Sequence, residues 1–150
     1  MTNPPTESII NEALIGLARS FLQYVAESWP WVDVSQHTIE KQLQVLATRQ
    51  REDVRELVQL FIDRELPIDF GSFPTEYTDL HFISLLTLLD WLRNGQSQIV
   101  DRLTAVAESL RESSDEQATV LIEAISVRQQ KIAASLEELQ RELNNSPAEA

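Results

Sequence analysis

The sequence predicts an all-α fold, an antiparallel four-helix bundle, and three observations carry that prediction. Apolar residues recur at alternating steps of three and four over long stretches, the spacing that lays one face of a helix against its neighbours. Only 3 Gly and 6 Pro occur in 150 residues, too few turn formers for a fold of many short strands. A chain of this length is the size of one domain and can bury about two thirds of the surface it exposes when unfolded. Residues 1–150 are therefore read as a single bundle domain.

The first helix is capped by Asn3 or Thr6, tolerates Pro4 and Pro5 in its opening turn, and lines one face with Ile10, Leu14, Leu17, Phe21 and Tyr24. Trp29-Pro30-Trp31 ends it, and the two indoles are read as a hydrophobic plug at the bundle end. Asp33 or Ser35 caps the second helix, which runs to about Glu65 on the seam Ile39, Leu43, Leu46, Gln50, Asp53, Leu57 and Leu60. The segment from Pro67 to Pro74 is a loop by its prolines and Gly71, with Phe70 and Phe73 to hold it on apolar surface.

A third helix, over Leu80 to Leu110, has Thr75 or Thr78 as cap and Glu76 and Asp79 in its first turn, where acid suits the helix dipole. Its seam runs Phe82, Leu85, Leu89, Leu92, Gln96, Ile99, Leu103, Val106 and Leu110, and Asn94-Gly95 is a weak point inside it. The fourth helix opens on a capping-box pattern, Ser114-x-x-Gln117 or Ser113-x-x-Glu116. Its seam is Ala118, Ile122, Ile125, Gln129, Ile132, Leu136, Leu139 and Leu143, and residues 144–150 are a frayed, flexible tail.

Helices two to four are each about thirty residues, roughly 45 Å at 1.5 Å per residue. Short connections join one to two and three to four, whereas about a dozen residues separate two from three and can span about 40 Å when extended. That favours two hairpins joined by one long crossover over simple up-down-up-down order, with a compact loop as the alternative.

Mid-helix positions of neighbouring helices lie at one level, so Gln50, Gln96 and Gln129 are expected to meet in a buried polar layer. Asp53 would sit a turn away, and Ser20 or Tyr24 would come from the first helix. A buried amide layer can fix register, as one buried amide does in a coiled coil. An altered ion or small-molecule pocket is the functional alternative.

Arg49-Gln50-Arg51-Glu52-Asp53 and Arg128-Gln129-Gln130-Lys131-Ile132 both start with Arg-Gln, on the second and fourth helices. With the crossover, this resembles the ferritin-like superfamily of ferritins, bacterioferritins and rubrerythrins. Its second and fourth helices each carry Glu-x-x-His and its other two each give a Glu, holding two irons. The resemblance puts Gln50 and Asp53 where one Glu-x-x-His would stand, and Gln129 and Ile132 where the other would. Amides add no charge and Ile132 no ligand, so the expectation is a bundle with no metal, cofactor or di-iron site. The alternative is a metal-binding oxidoreductase or iron-handling protein with atypical ligands.

The formal net charge of −12, with scattered basic residues, argues against nucleic acid as a partner. No signal-peptide order opens the chain and no apolar run is long enough to span a bilayer, so a cytoplasmic protein without membrane contact is expected, and the absence of Cys agrees. His37 and His81 lie outside the seams, and no phosphate loop or nucleophile–base pair is present. The reading is of a non-enzyme, a structural or protein-interaction subunit. Leu80, Leu88 and Trp91 point away from the third seam; Phe70 and Phe73 would cover part of that face, and a second copy in a homodimer, or a helical partner, the rest.

Overall fold

The computed structural model describes residues 5–28, 37–78 and 84–145. Expectations for Asn3, the Trp29–Trp31 plug, the Asp33 or Ser35 cap, Asp79, Leu80, His81, Phe82 and the tail beyond Asn145 fall outside these residues. The described chain is all-helical: α1 (Thr6–Ala18), α2 (Phe21–Glu27), α3 (His37–Asp63), α4 (Leu85–Glu112) and α5 (Glu116–Asn144), with a 3₁₀ turn at Thr75–Thr78.

The expected first helix is two helices. The chain leaves α1 at Arg19 and restarts at Ser20, whose backbone is extended (ψ 159°) and whose hydroxyl accepts the Gln23 N–H, so Ser20 caps α2. The start of α1 is preceded by Pro5, which offers no side-chain cap, and Thr6 is already its first helical residue. The third helix starts later than expected, at Leu85, because Ser84 accepts the Thr87 N–H at 3.1 Å, while Thr75 and Glu76 belong to the 3₁₀ turn. Asn94-Gly95 leaves α4 unbroken. At α5 neither serine caps: Ser114 takes a positive φ of 58°, and Asp115 accepts the Ala118 N–H instead. The α3 end closes earlier than Glu65, where Glu65 turns left-handed (φ 54°) and Leu66 N–H reaches back to Phe61 O.

Cross-helix pairs fix the topology. Asp53 meets Gln129 and Arg64 meets Asp115, so α3 and α5 are antiparallel. Gln50 meets Gln96, while Leu43 and Leu89 belong to the apolar cluster on one side of that level and Leu57 and Leu103 to the cluster on the other, so α3 and α4 run parallel. Two parallel helices joined in sequence need a connection that travels the length of the bundle, which makes the link from α3 to α4 the long crossover of a ferritin-like four-helix bundle.

The crossover is strapped along α1 and α2. Asn11 and Asp69 exchange bonds (Asn11 Nδ2 to Asp69 O 2.9 Å, Asp69 N to Asn11 Oδ1 3.0 Å), and Arg19 Nε donates to Phe70 O at 3.0 Å. Gly71, at φ +64°, lies so close to α1 that a Cβ there would come within 2.8 Å of Ile15. Phe73 and Tyr77 then cluster with Tyr24. The apolar interior falls into two halves, one around Phe21, Leu43, Leu89 and Leu136, the other around Leu14, Leu57, Leu103 and Ile122. Polar side chains lie between them.

Arg64 grips Asp115 with two bonds of 2.8 Å, and these, more than the Ala118 N–H, hold the Asp115 carboxyl below its ordinary value against the opposing effect of burial. Such a carboxylate contributes stability above its unfolded value and loses it as pH falls through the lowered one. Asp115→Ala is therefore expected to cost roughly 1–2 kcal/mol at neutral pH by removing a cap and an ion pair. Chemical denaturation of both proteins should show the gap closing as pH drops below the ordinary aspartate range.

Candidate functional site

The polar layer is built from four helices. Ser20 Oγ donates to Gln50 Oε1 at 2.6 Å, and Gln23 Nε2 donates to the same oxygen at 3.0 Å and to Ala47 O at 2.8 Å. Gln50 Nε2 gives one bond to Gln96 Oε1 at 3.2 Å and one to Gln129 Oε1 at 3.0 Å. Gln96 Nε2 in turn reaches Gln129 Oε1 at 2.8 Å and Gln129 O at 3.1 Å. Gln129 Nε2 ends the series on Asp53 Oδ2 at 2.7 Å.

Asp53 is the acceptor on which this order closes, because each amide hands its N–H on and the carboxylate needs no donor of its own. Its other oxygen takes Arg128 Nε at 2.6 Å, and Arg128 Nη2 also donates to Glu56. Gln50, Gln96, Gln129 and Asp53 are buried, whereas Arg128 and Glu56 are 43% and 49% exposed at their side chains, so the network runs from the centre of the bundle to its surface. Burial is the largest influence on Asp53 and pushes its carboxyl above the ordinary value; the bonds from Gln129 and Arg128 offset only part of that. Outside, Arg128 borders an open groove between α3 and α5 of about 460 Å³, which Glu56 and Asp63 also line.

The structure thus brings Gln50, Asp53, Gln96 and Gln129 together and leaves Tyr24 out. The break at Ser20 turns Ser20 and Gln23 inward, and the half-buried Tyr24 ring packs on Phe73, 5.3 Å between centroids. Gln23 escaped the sequence reading, although Ser20-Phe21-Leu22-Gln23 has the capping-box spacing that marks a helix restart. Arg128 was also missed as part of the site, since its partners lie 75 and 72 residues away. Ile132 packs in the apolar half beside Leu136.

The partner surface needs correction as well. Leu88 is fully buried within the chain, where α2 supplies Phe21, Leu22 and Val25 to the same apolar half, so it offers nothing to a second molecule. Trp91 lies 6.1 Å from the Phe21 ring and keeps 42% of its surface exposed. Among the described residues no helix is long and apolar enough to cross a membrane, and no three His, Cys, Asp or Glu side chains group as metal ligands.

The Ferritin-like domain profile matches residues 7–146. The chain belongs to the ferritin-like family. Its structural neighbours include iron-soaked variants of PmFTN: a glutamate-to-alanine variant soaked overnight has a TM-score of 0.76 at 13% identity, over 96% of this chain and 93% of that one. A glutamate-to-glutamine variant soaked for 5 min gives 0.75 at 13%, over 96% and 92%. A glutamate-to-histidine variant soaked for 3 h gives 0.74 at 14%, over 96% and 93%. At such identity the likeness is one of fold, and no curated protein sequence matches significantly. The expectation of a non-catalytic structural or interaction subunit without a di-iron site is overturned by the ferritin-like domain match over residues 7–146, which favours the alternative set beside it in the sequence.

Within this ferritin-like bundle, Gln129 holds three partners at once, so its loss leaves Gln50, Gln96 and Asp53 each short of a bond in the interior. Gln129→Ala is expected to destabilise by about 1–3 kcal/mol, while Gln130→Ala, on the exposed side of α5, should leave the denaturation midpoint unchanged.

Proposed function

We propose that this protein handles iron, taking ferrous ion as cargo at Asp53 and Glu56, with Gln129 orienting the Asp53 carboxylate. The observation that carries the reading is a carboxylate pair at the surface end of the buried network, bridged by a guanidinium, in a ferritin-like chain. Carboxylate oxygens are hard donors that suit ferrous ion, and water completes such a set without adding charge. The donor set is atypical, two carboxylates in place of a cluster of carboxylates and imidazoles.

Arg128 supplies the positive charge that Asp53 and Glu56 need at rest. A divalent cation approaching along the α3–α5 groove exchanges for the guanidinium, which is exposed enough to swing into solvent. Gln129 keeps Asp53 Oδ2 aimed while Oδ1 is freed. Protons compete with the ion for the same carboxylate. Because burial raises Asp53, protonation begins at a higher pH than for an ordinary aspartate, and ion binding should weaken from that pH downward.

Anaerobic titration with ferrous ion, followed by calorimetry and elemental analysis, tests the reading. Wild-type protein is expected to bind, Arg128→Gln to bind more tightly, and Asp53→Asn to lose binding. Gln129→Ala should weaken binding by roughly tenfold to a hundredfold, as expected for a residue that orients a ligand. Failure of both wild type and Arg128→Gln to take up ferrous ion would overturn it.

A further inference from the structure

A second cleft, of about 240 Å³, opens where α1 breaks into α2, between that break, the crossover strap and the middle of α4. Its charge is unlike the rest of the molecule. The chain has 24 acidic and 12 basic residues, yet the cleft is lined by Arg19 and Arg102 and by no carboxylate. Arg102 makes no hydrogen bond or ion pair among the described residues. Arg19 uses only its Nε, on Phe70 O, and lies over the Phe73 ring at 5.1 Å, which leaves both terminal nitrogens to donate.

Arg102 lines both this cleft and the neighbouring groove that holds Glu12 and Glu112, and an anion in the cleft would draw charge-assisted bonds from Arg102 and Arg19 together. Ser20, Ser72, Tyr77 and Gln98 add polar groups to walls that are otherwise apolar. Ile15 and Ile99 contribute aliphatic surface, and Gly16 and Gly95 leave room, since a Cβ would meet only Arg102 Cδ at 3.8 Å and Phe21 Cβ at 3.9 Å. No steric demand of helix packing calls for glycine at either position. The space equals about eight water molecules at roughly 30 Å³ each, which suits one ring or a short chain.

The geometry points to a binding site for a small organic carboxylate with an apolar body. Its anionic end sits between Arg19 and Arg102, and its body lies against the helix backbone at Gly16 and Gly95. The site is separate from the Asp53–Glu56 pair and independent of the iron reading.

Calorimetry and thermal melting of the full chain with benzoate, benzyl alcohol and inorganic phosphate test this. Benzoate is expected to bind saturably and raise the melting temperature, with neutral benzyl alcohol and phosphate weaker by roughly tenfold or more. Arg102→Gln should lose a similar factor, and Gly95→Leu, which keeps both charges and fills the cleft, should lose binding altogether. Amide shifts in wild-type NMR spectra on adding benzoate should centre on Gly16, Gly95 and Arg102, which reads the site even where a variant folds poorly. Equal binding of benzoate and benzyl alcohol, phosphate as tight as benzoate, unchanged affinity in Arg102→Gln, or shifts elsewhere would each overturn the proposal.

Discussion

Gln50 has the burial of a core leucine and the hydrogen-bonding needs of an amide, and the structure is arranged to meet both. Both of its N–H groups and its oxygen are used, by Gln96, Gln129, Ser20 and Gln23. Those partners come from α2, α4 and α5, so satisfying one side chain sets the level of three other helices against α3. A slip of one turn in any of them would leave buried amides without partners, at a cost well above that of a displaced apolar contact. The layer divides the apolar interior in two, and each half packs in the register it imposes.

The direction of the bonds matters as much as their number. Donors point from Ser20 and Gln23 through Gln50 and Gln129 to Asp53, and only an ionised carboxylate can end such a series by accepting on both oxygens. Burial opposes that ionisation, and Arg128 opposes burial. The balance places a carboxylate just inside the surface, compensated by a side chain that solvent can reach. That is the arrangement in which a mobile cation can compete with a protein cation, and it links the interior of the bundle to the proposed handling of iron.

Much of the fold could be read from the sequence because it is written locally. The three-and-four spacing of Leu43, Leu46, Leu57 and Leu60, or of Ile122, Ile125, Ile132 and Leu136, defines a face without reference to anything distant. The polar positions Gln50, Asp53, Gln96 and Gln129 fall on those faces by the same count, which is why they could be named together. The break at Ser20 was harder to see, since an apolar face runs on through Leu17 and Phe21 as if the helix were continuous. Tyr24 was misplaced for that reason, and Leu88 was left uncovered because α2 had not been recognised as a separate element able to fold over it.

By itself the sequence determined the helices, their buried faces and the level at which amides interrupt them, because an α-helical period of 3.6 residues assigns every side chain to a face from neighbours only a turn away. Only the tertiary structure decided which surface charges meet. Arg128 pairs with Asp53 and Glu56, and Arg19 faces the same cleft as Arg102, through the rotation and height of helices that are far apart in the chain. No local pattern encodes those two quantities. They are set when the buried amides and the strapped crossover lock the bundle, and the chemistry of the surface follows from that alignment.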